Sequence, residues 1–188
     1  MEHAAELGAP LISCHGAVGR IRAINSQSAE WTFLVDNVSL VGERARSMGL
    51  RVALEHLNRY ESHLLNRCAD GLRFVDQVGL PNVGLHLDAY HMNIEEPDPA
   101  AALREAGARL FLFHAADSNR QGLGHGHTDF GSLVGALAAL GYQGPVVMEC
   151  TAPGPDPFRA IKDDSSLAML GTYLAESLVR LRSLVATG

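Results

Sequence analysis

Five short apolar runs punctuate the chain: Leu11–Cys14, Arg51–Glu55, Val83–Asp88, Leu110–His114 and Val146–Glu149. Each is bounded by Gly, Pro or polar residues, and their lengths suit strands buried in a parallel sheet. Between them the apolar positions recur at three- and four-residue steps. Trp31, Leu34, Val35, Val38, Val41, Ala45 and Met48 make one such stripe, closed by Gly49. Leu64, Leu65, Ala69, Leu72, Val75 and Val78 make a second, ending at Gly79. Asp98 and Pro99 read as an N-cap and a first-turn proline, opening a helix to about Ala106. Asp129 caps a helix holding Leu133, Leu137 and Leu140, and an amphipathic helix runs from about Ser165 to Val185. The opening MEHAAELGAP reads as a helix remnant.

This alternation of strand and helix calls for a parallel sheet, either doubly wound or closed as a (β/α)8 barrel. The polar residues favour the barrel. Four of the five strands end in Glu55, Asp88, His114 and Glu149, and barrel enzymes gather their chemistry at the carboxyl ends of several strands. Alternation along a strand turns Glu55, Ala53 and Arg51 inward and Leu54 and Val52 toward the helices. By the same rule Phe111 and Phe113 point outward beside an inward His114. The expected fold class is therefore α/β, of the (β/α)8 TIM-barrel type, with residues 1–188 as a single partial domain of five βα units. A complete barrel takes about 250 residues, against 188 here. We expect three βα units to be missing from the front, or another chain to complete the barrel, since an open sheet leaves two unpaired edges.

Composition removes several function classes. With 15 Lys+Arg against 21 Asp+Glu, the formal charge is −6, a poor basis for nonspecific nucleic-acid binding. A hydrophobic content of 47% argues against disorder. No apolar run approaches the ~20 residues of a membrane helix, and the acidic opening is not a secretory signal. Cys14, Cys68 and Cys150 are too widely spaced for a disulfide framework or a CxxC zinc site, so a reducing, cytoplasmic setting is expected. The only lysine, Lys162, lies in the Pro-rich, acidic stretch PGPDPFRAIKDD, an unsuitable place for Schiff-base chemistry. There is no phosphate-binding GKS/T loop.

Two Glu, one Asp and one His form a hard, oxygen-rich ligand set that suits Mn²⁺, Mg²⁺ or Co²⁺ better than structural zinc. Any one of them alone reads as a cap or a salt-bridge partner; four at the same end of one sheet read as a site. The stretches LEHLNRYESHLLN (54–66), LHLDAYHMNIEE (85–96), FHAADSNR (113–120) and VVMEC (146–150) resemble the sugar isomerase/epimerase barrels related to xylose isomerase. Within them the chain is most similar to the D-tagatose/D-allulose (psicose) 3-epimerases, aligned with the last five of their eight βα units.

The resemblance implies that Glu55, Asp88, His114 and Glu149 ligate one divalent metal ion per subunit, manganese first, with magnesium or cobalt as alternatives. It makes Glu55 and Glu149 the acid/base pair on opposite faces of the sugar, and Glu61, His91 and Arg120 the residues that hold it. The activity implied is a C3 epimerisation of free ketoses such as D-tagatose, D-fructose/D-allulose or L-ribulose, through an enediolate. The same residues would serve a related isomerase of the superfamily acting on hydroxypyruvate, an inosose or another sugar, and a shortened chain could also be a non-catalytic fragment. An apurinic-site endonuclease of similar barrel would want more His ligands and a basic groove. The partners expected are a small sugar and further copies of the chain, as a dimer or tetramer, with neither nucleic acid nor membrane.

Other residues carry blander expectations. His125 and His127, in GLGHGHTDF, belong to a solvated or lid loop; His86 is a satisfied core histidine; Cys150 is a buried thiol pointing away from the site. His15 ends the first strand and either lines the pocket or does not. Trp31 is core, and Arg44 and Arg46 form a wet helix face.

Overall fold

The computed structural model describes residues 1–152 and 161–187; PGPDPFRA, residues 153–160 of the Pro-rich stretch, lies outside them. Five parallel strands pair in sequence order: β1 (Leu11–His15), β2 (Arg51–Glu55), β3 (Val83–Asp88), β4 (Leu110–Ala115) and β5 (Val146–Met148). The helices are α1 (Glu2–Glu6), α2 (Gln27–Ser47), α3 (Cys68–Val78), α4 (Ala89–Glu95), α5 (Pro99–Ala106), α6 (Phe130–Ala139) and α7 (Asp164–Thr187). Together they form a half-barrel. Among the described residues β1 and β5 are its edges, and Val146 and Val147 on β5 are exposed.

The expected caps are in place. Ser26 accepts from Ala29, Asp98 from Ala101 and Asp129 from Ser132, each taking up a backbone N–H of a first helical turn. Gly79 closes α3 at φ +68, a conformation that favours glycine. The start of α3 differs from the sequence pattern. Leu64 and Leu65 belong to the preceding loop, with Leu65 at φ +56. Both are buried in the main core from that loop, so an apolar stripe at helical spacing is partly a loop folded back on the core. The seven-residue α4 leaves no stripe long enough to announce it.

The main core lies between the outer face of the sheet and the helices. Val52, Leu54, Leu85, Leu87 and Phe113 pack there with Phe74, Leu103 and Phe130. Trp31 packs on its margin, half-buried, with Nε1 donating to Gln77 and its ring edge-on to Phe74. Arg44 and Arg46 are exposed and paired with Glu2 and Glu43.

A second, smaller cluster of Ala53, Phe111 and Leu112 fills the inner face. Phe111 thus points inward, contrary to strict alternation. The cause is a register irregularity between β3 and β4, where Leu85 pairs with Leu110 but His86 with Leu112. The extra residue on β4 leaves consecutive side chains on one face, as a β-bulge does. Phe111 lies under the Arg51 guanidinium, 4.8 Å from its ring centroid, and above Gly84. A Cβ at Gly84 would stand 2.6 Å from Phe111 Cγ and 2.7 Å from the Arg109 carbonyl oxygen. Because one obstacle is backbone, Gly84→Ala should destabilise the fold by about 1–3 kcal/mol, the usual cost of overpacking. A lowered urea midpoint with an unchanged slope would register it.

Candidate metal centre at the strand ends

Asp88 is the hub of the site. It ends β3, is fully buried, and caps α4 with Oδ1, which accepts the Tyr90 N–H at 2.8 Å. Capping consumes one oxygen and aims the other into the barrel mouth. Oδ2 there lies 3.1 Å from an Arg120 guanidinium nitrogen, 3.8 Å from His91 Nε2 and 3.9 Å from His114 Nδ1. His114, opposite Asp88 on β4, puts Nδ1 3.3 Å from Glu149 Oε2. Glu149 stands one residue past β5, whose last residue is Met148, but its N–H still bonds the Ala115 carbonyl at 3.2 Å. Glu55 ends β2, with Oε1 4.0 Å from His91 Nε2 and Oε2 3.6 Å from His86 Nδ1.

Three overlapping groups of these residues could each hold a cation among the described residues. They are Asp88/His114/Glu149, Glu55/Asp88/His91 and Glu55/His86/His114, with the ligand atoms of each group within 4.8 Å of one another. Asp88 and His114 each belong to two of the groups, and Glu55 joins both to the imidazoles beneath. The groups thus overlap at Glu55, Asp88 and His114, with Glu149 joined through the last two.

The electrostatics show what this cluster needs. Burial raises Asp88 well above its ordinary value of 3.8, and the hydrogen bond with Glu149 raises it further. Burial also raises Glu55, opposed by the charge of His114 and reinforced by that of Glu149. Burial acts the same way on Glu149. There it is outweighed by hydrogen bonds with His114 and Asp88 and by the Arg120 charge, which hold Glu149 at about 2. Burial lowers His86 to about 2 and His91 to about 3, so both rings are neutral near pH 7 and keep a lone pair. The Arg120 guanidinium, 3.1 Å from Asp88 and 3.3 Å from Glu149, offsets part of the charge of these crowded carboxylates, and the neutral imidazoles add none. Oxygen donors with one or two imidazoles fit a hard divalent cation.

Arg120, His91 and Glu61 come together on the rim. Asn58 links two of them: its Nδ2 donates to Glu61 Oε1 at 2.9 Å and reaches His91 Nδ1 at 2.8 Å, and its backbone N–H donates to the same ring nitrogen at 3.1 Å. The Arg120 guanidinium lies 3.3 Å from Glu149 Oε2 and 4.4 Å from the centroid of the Tyr90 ring. Asn58 and Tyr90 sit inside LNRYE and LDAYH, and only their polar or aromatic character between candidate site residues could have singled them out.

The remaining histidines sort themselves by contact. His86 lies inside as expected, with Nδ1 2.8 Å from Ser13 Oγ and its ring 3.9 Å from that of His114, but among the described residues its Nε2 is buried without a partner. It is only half satisfied. His15 pairs in register with Glu55, is exposed, and lowers the Glu55 carboxyl through its charge. His125 pairs with Glu176 at 2.9 Å, and His127 Nδ1 lies 3.0 Å from Ser118 Oγ; both are exposed on their loop. Cys150 is half-buried rather than buried.

Comparison with known proteins bears on this geometry. The family model of the xylose isomerase-like TIM barrel matches residues 1–169. The chain belongs to that family. A ketose 3-epimerase of Arthrobacter globiformis is 42% identical over 112 residues, 60% of this chain and 39% of its own length. The crystal structure of D-psicose 3-epimerase with D-tagatose from Clostridium cellulolyticum H10 superposes with a TM-score of 0.84 at 31% identity, covering 97% of this chain and 66% of that one. A 3-dehydro-D-guloside 4-epimerase of Escherichia coli is 40% identical over 137 residues, 73% of this chain and 52% of its own. The chain thus spans about two fifths of the Arthrobacter epimerase's length. No helix of the described residues is long and apolar enough to cross a membrane.

Proposed function

We propose that the chain carries the metal-binding, proton-transferring part of a ketose 3-epimerase, which interconverts free ketoses of the D-tagatose, D-fructose/D-allulose and L-ribulose type at C3. The observation that supports this reading is the overlap of three possible ligand groups that between them include Glu55, Asp88, His114 and Glu149, at or just past the ends of four successive strands. These four residues would hold a divalent ion, Mn²⁺ in the first place. When bound, the ion supplies Lewis acidity to the oxygens of a chelating ketose.

The chain's own groups do the rest. Glu55 ends β2 and Glu149 stands just past β5, with β3 and β4 between; in this reading the planar sugar intermediate lies between the two carboxylates. One carboxylate takes the C3 proton, leaving an enediolate, and the other returns a proton to the opposite face, inverting C3. Burial raises Glu55, which suits a group that must carry a proton for part of the cycle. The Arg120 guanidinium and the His91 ring, with Glu61 tied in through Asn58, offer donors and acceptors to sugar hydroxyls.

A second reading has support of its own. The match to the E. coli 4-epimerase extends over 73% of this chain, and epimerisation at C4 beside a C3 ketone is the same α-proton chemistry moved by one carbon. A panel of free ketoses and 3-keto glycosides, incubated with the Mn²⁺-loaded chain and followed by polarimetry and chromatography, separates the two. C3 epimers of a ketose support the first reading; C4 epimers, C1–C2 isomers or no turnover at all refute it. Sedimentation of the same preparation tests the expected dimer or tetramer.

A further inference from the structure

Asp117 is wholly buried and densely bonded to backbone N–H groups of its own loop. Its Oδ1 accepts the N–H groups of Ser118 at 2.7 Å and Thr128 at 3.2 Å. Its Oδ2 accepts those of Gly124 at 2.7 Å and Gly126 at 3.0 Å. These donors come from both ends of the 118–128 segment, so one carboxylate closes the whole loop. Burial pushes Asp117 up, but the four N–H groups outweigh it and hold the carboxyl below its ordinary value. Gly126 lies against the carboxylate so tightly that a Cβ there would collide with Asp117 Oδ1 and Ser118 Oγ.

Arg120 springs from this loop. Its N–H donates to the Asp117 carbonyl at 2.8 Å, and its own carbonyl accepts from Thr151 N at 2.6 Å and Thr151 Oγ1 at 3.2 Å. Its φ is +54, a left-handed conformation rare for a side-chain-bearing residue. Among the described residues, Arg120 Nε is buried without a hydrogen-bond partner. Among the described residues, apart from the Tyr90 ring, the guanidinium touches groups of the site: Asp88, His91 and Glu149. The backbone that carries it sets where along these groups the guanidinium can reach.

We propose that Asp117 is the positioning residue for Arg120: by closing residues 118–128 on its carboxylate, it fixes the backbone from which the guanidinium reaches Asp88 and Glu149. This rests on the reading that Arg120 belongs to the sugar-holding site.

Two variants test it. Asp117→Asn keeps the volume but turns an NH₂ toward two of the N–H donors; Gly126→Ala disturbs the same anchor and leaves the charge. The first readout is Mn²⁺ affinity of the full chain by calorimetry. Arg120 puts a positive charge beside two proposed ligands, so Arg120→Met should tighten Mn²⁺ binding by about tenfold. Asp117→Asn and Gly126→Ala, if they release the guanidinium, should tighten it by about threefold or more, with no further gain in the Arg120→Met background. The second readout is turnover of a ketose, where kcat/KM should fall by about 10–100-fold in Asp117→Asn and fall no further when Arg120 is already Met.

A merely structural Asp117 gives weaker Mn²⁺ binding, additive with Arg120→Met, and that result overturns the proposal. So does wild-type behaviour of both folded variants, or failure of both to fold by circular dichroism. If the wild-type chain turns over no ketose, the sugar reading fails, while the Mn²⁺ affinities still decide the role of Asp117.

Discussion

Glu149→Gln should lower kcat for ketose epimerisation by about 10²–10⁴-fold, the range for removing a general acid or base, and Glu55→Gln should do the same. Glutamine keeps the shape and one oxygen of each side chain but can neither take nor deliver a proton. The two single variants carry more information than a loss of rate. In D₂O the wild-type chain should place one deuterium at C3 of the inverted product. A variant with one carboxylate left should still exchange the proton facing that carboxylate in one epimer and not in the other, without net inversion. The complementary variant should exchange the opposite epimer. Mass spectrometry of recovered substrate gives the answer, and exchange of the same epimer by both variants would mean that the glutamates do not lie on opposite faces.

The second large effect concerns the cation. Asp88 is fully buried and raised well above the carboxylate range by burial and by Glu149, with Arg120 only partly offsetting this, so a bound cation would add to the compensation that Arg120 gives. Chelation should remove activity, and added Mn²⁺ should restore it. At 100 times Kd, an ion that binds only the folded chain stabilises it by about 2.7 kcal/mol, which for a chain of this size raises Tm by about 5–10 °C. Asp88→Asn retains an oxygen that can accept the Tyr90 N–H, so the α4 cap survives while the charge is lost. That variant should fold, lose activity and show no Mn²⁺-dependent rise in Tm. A rise equal to that of the wild type would place the ion elsewhere.

Much of this arrangement is legible in the residues. Strands that end in a carboxylate or an imidazole, with helix-facing apolar residues between, allow only one register in which the apolar side chains are buried. That logic locates Glu55, Asp88, His114 and Glu149 on one rim. It fails at Phe111, because a one-residue bulge obeys no periodicity; the trace it leaves is Gly84, which has no side chain to stand in the way of the ring. It misjudges Leu64 and Leu65, since a loop that folds back on the core buries leucines as a helix does. It misses the bonding of Asp117 and Asn58, because loop carboxylates and amides act through backbone N–H groups and ring nitrogens whose approach is set by tertiary structure. Half-satisfied His86 is of the same kind: alternation places it inside, but only the neighbouring Ser13 and His114 decide which ring nitrogen finds a partner.

Anomalous diffraction from Mn²⁺-soaked crystals addresses the centre of the matter most directly. One manganese peak with oxygen or nitrogen atoms of Glu55, Asp88, His114 and Glu149 all about 2.0–2.6 Å away is the expected result. A peak ligated by a different set, or crystals that take up manganese nowhere near the ends of β2 to β5, would contradict it.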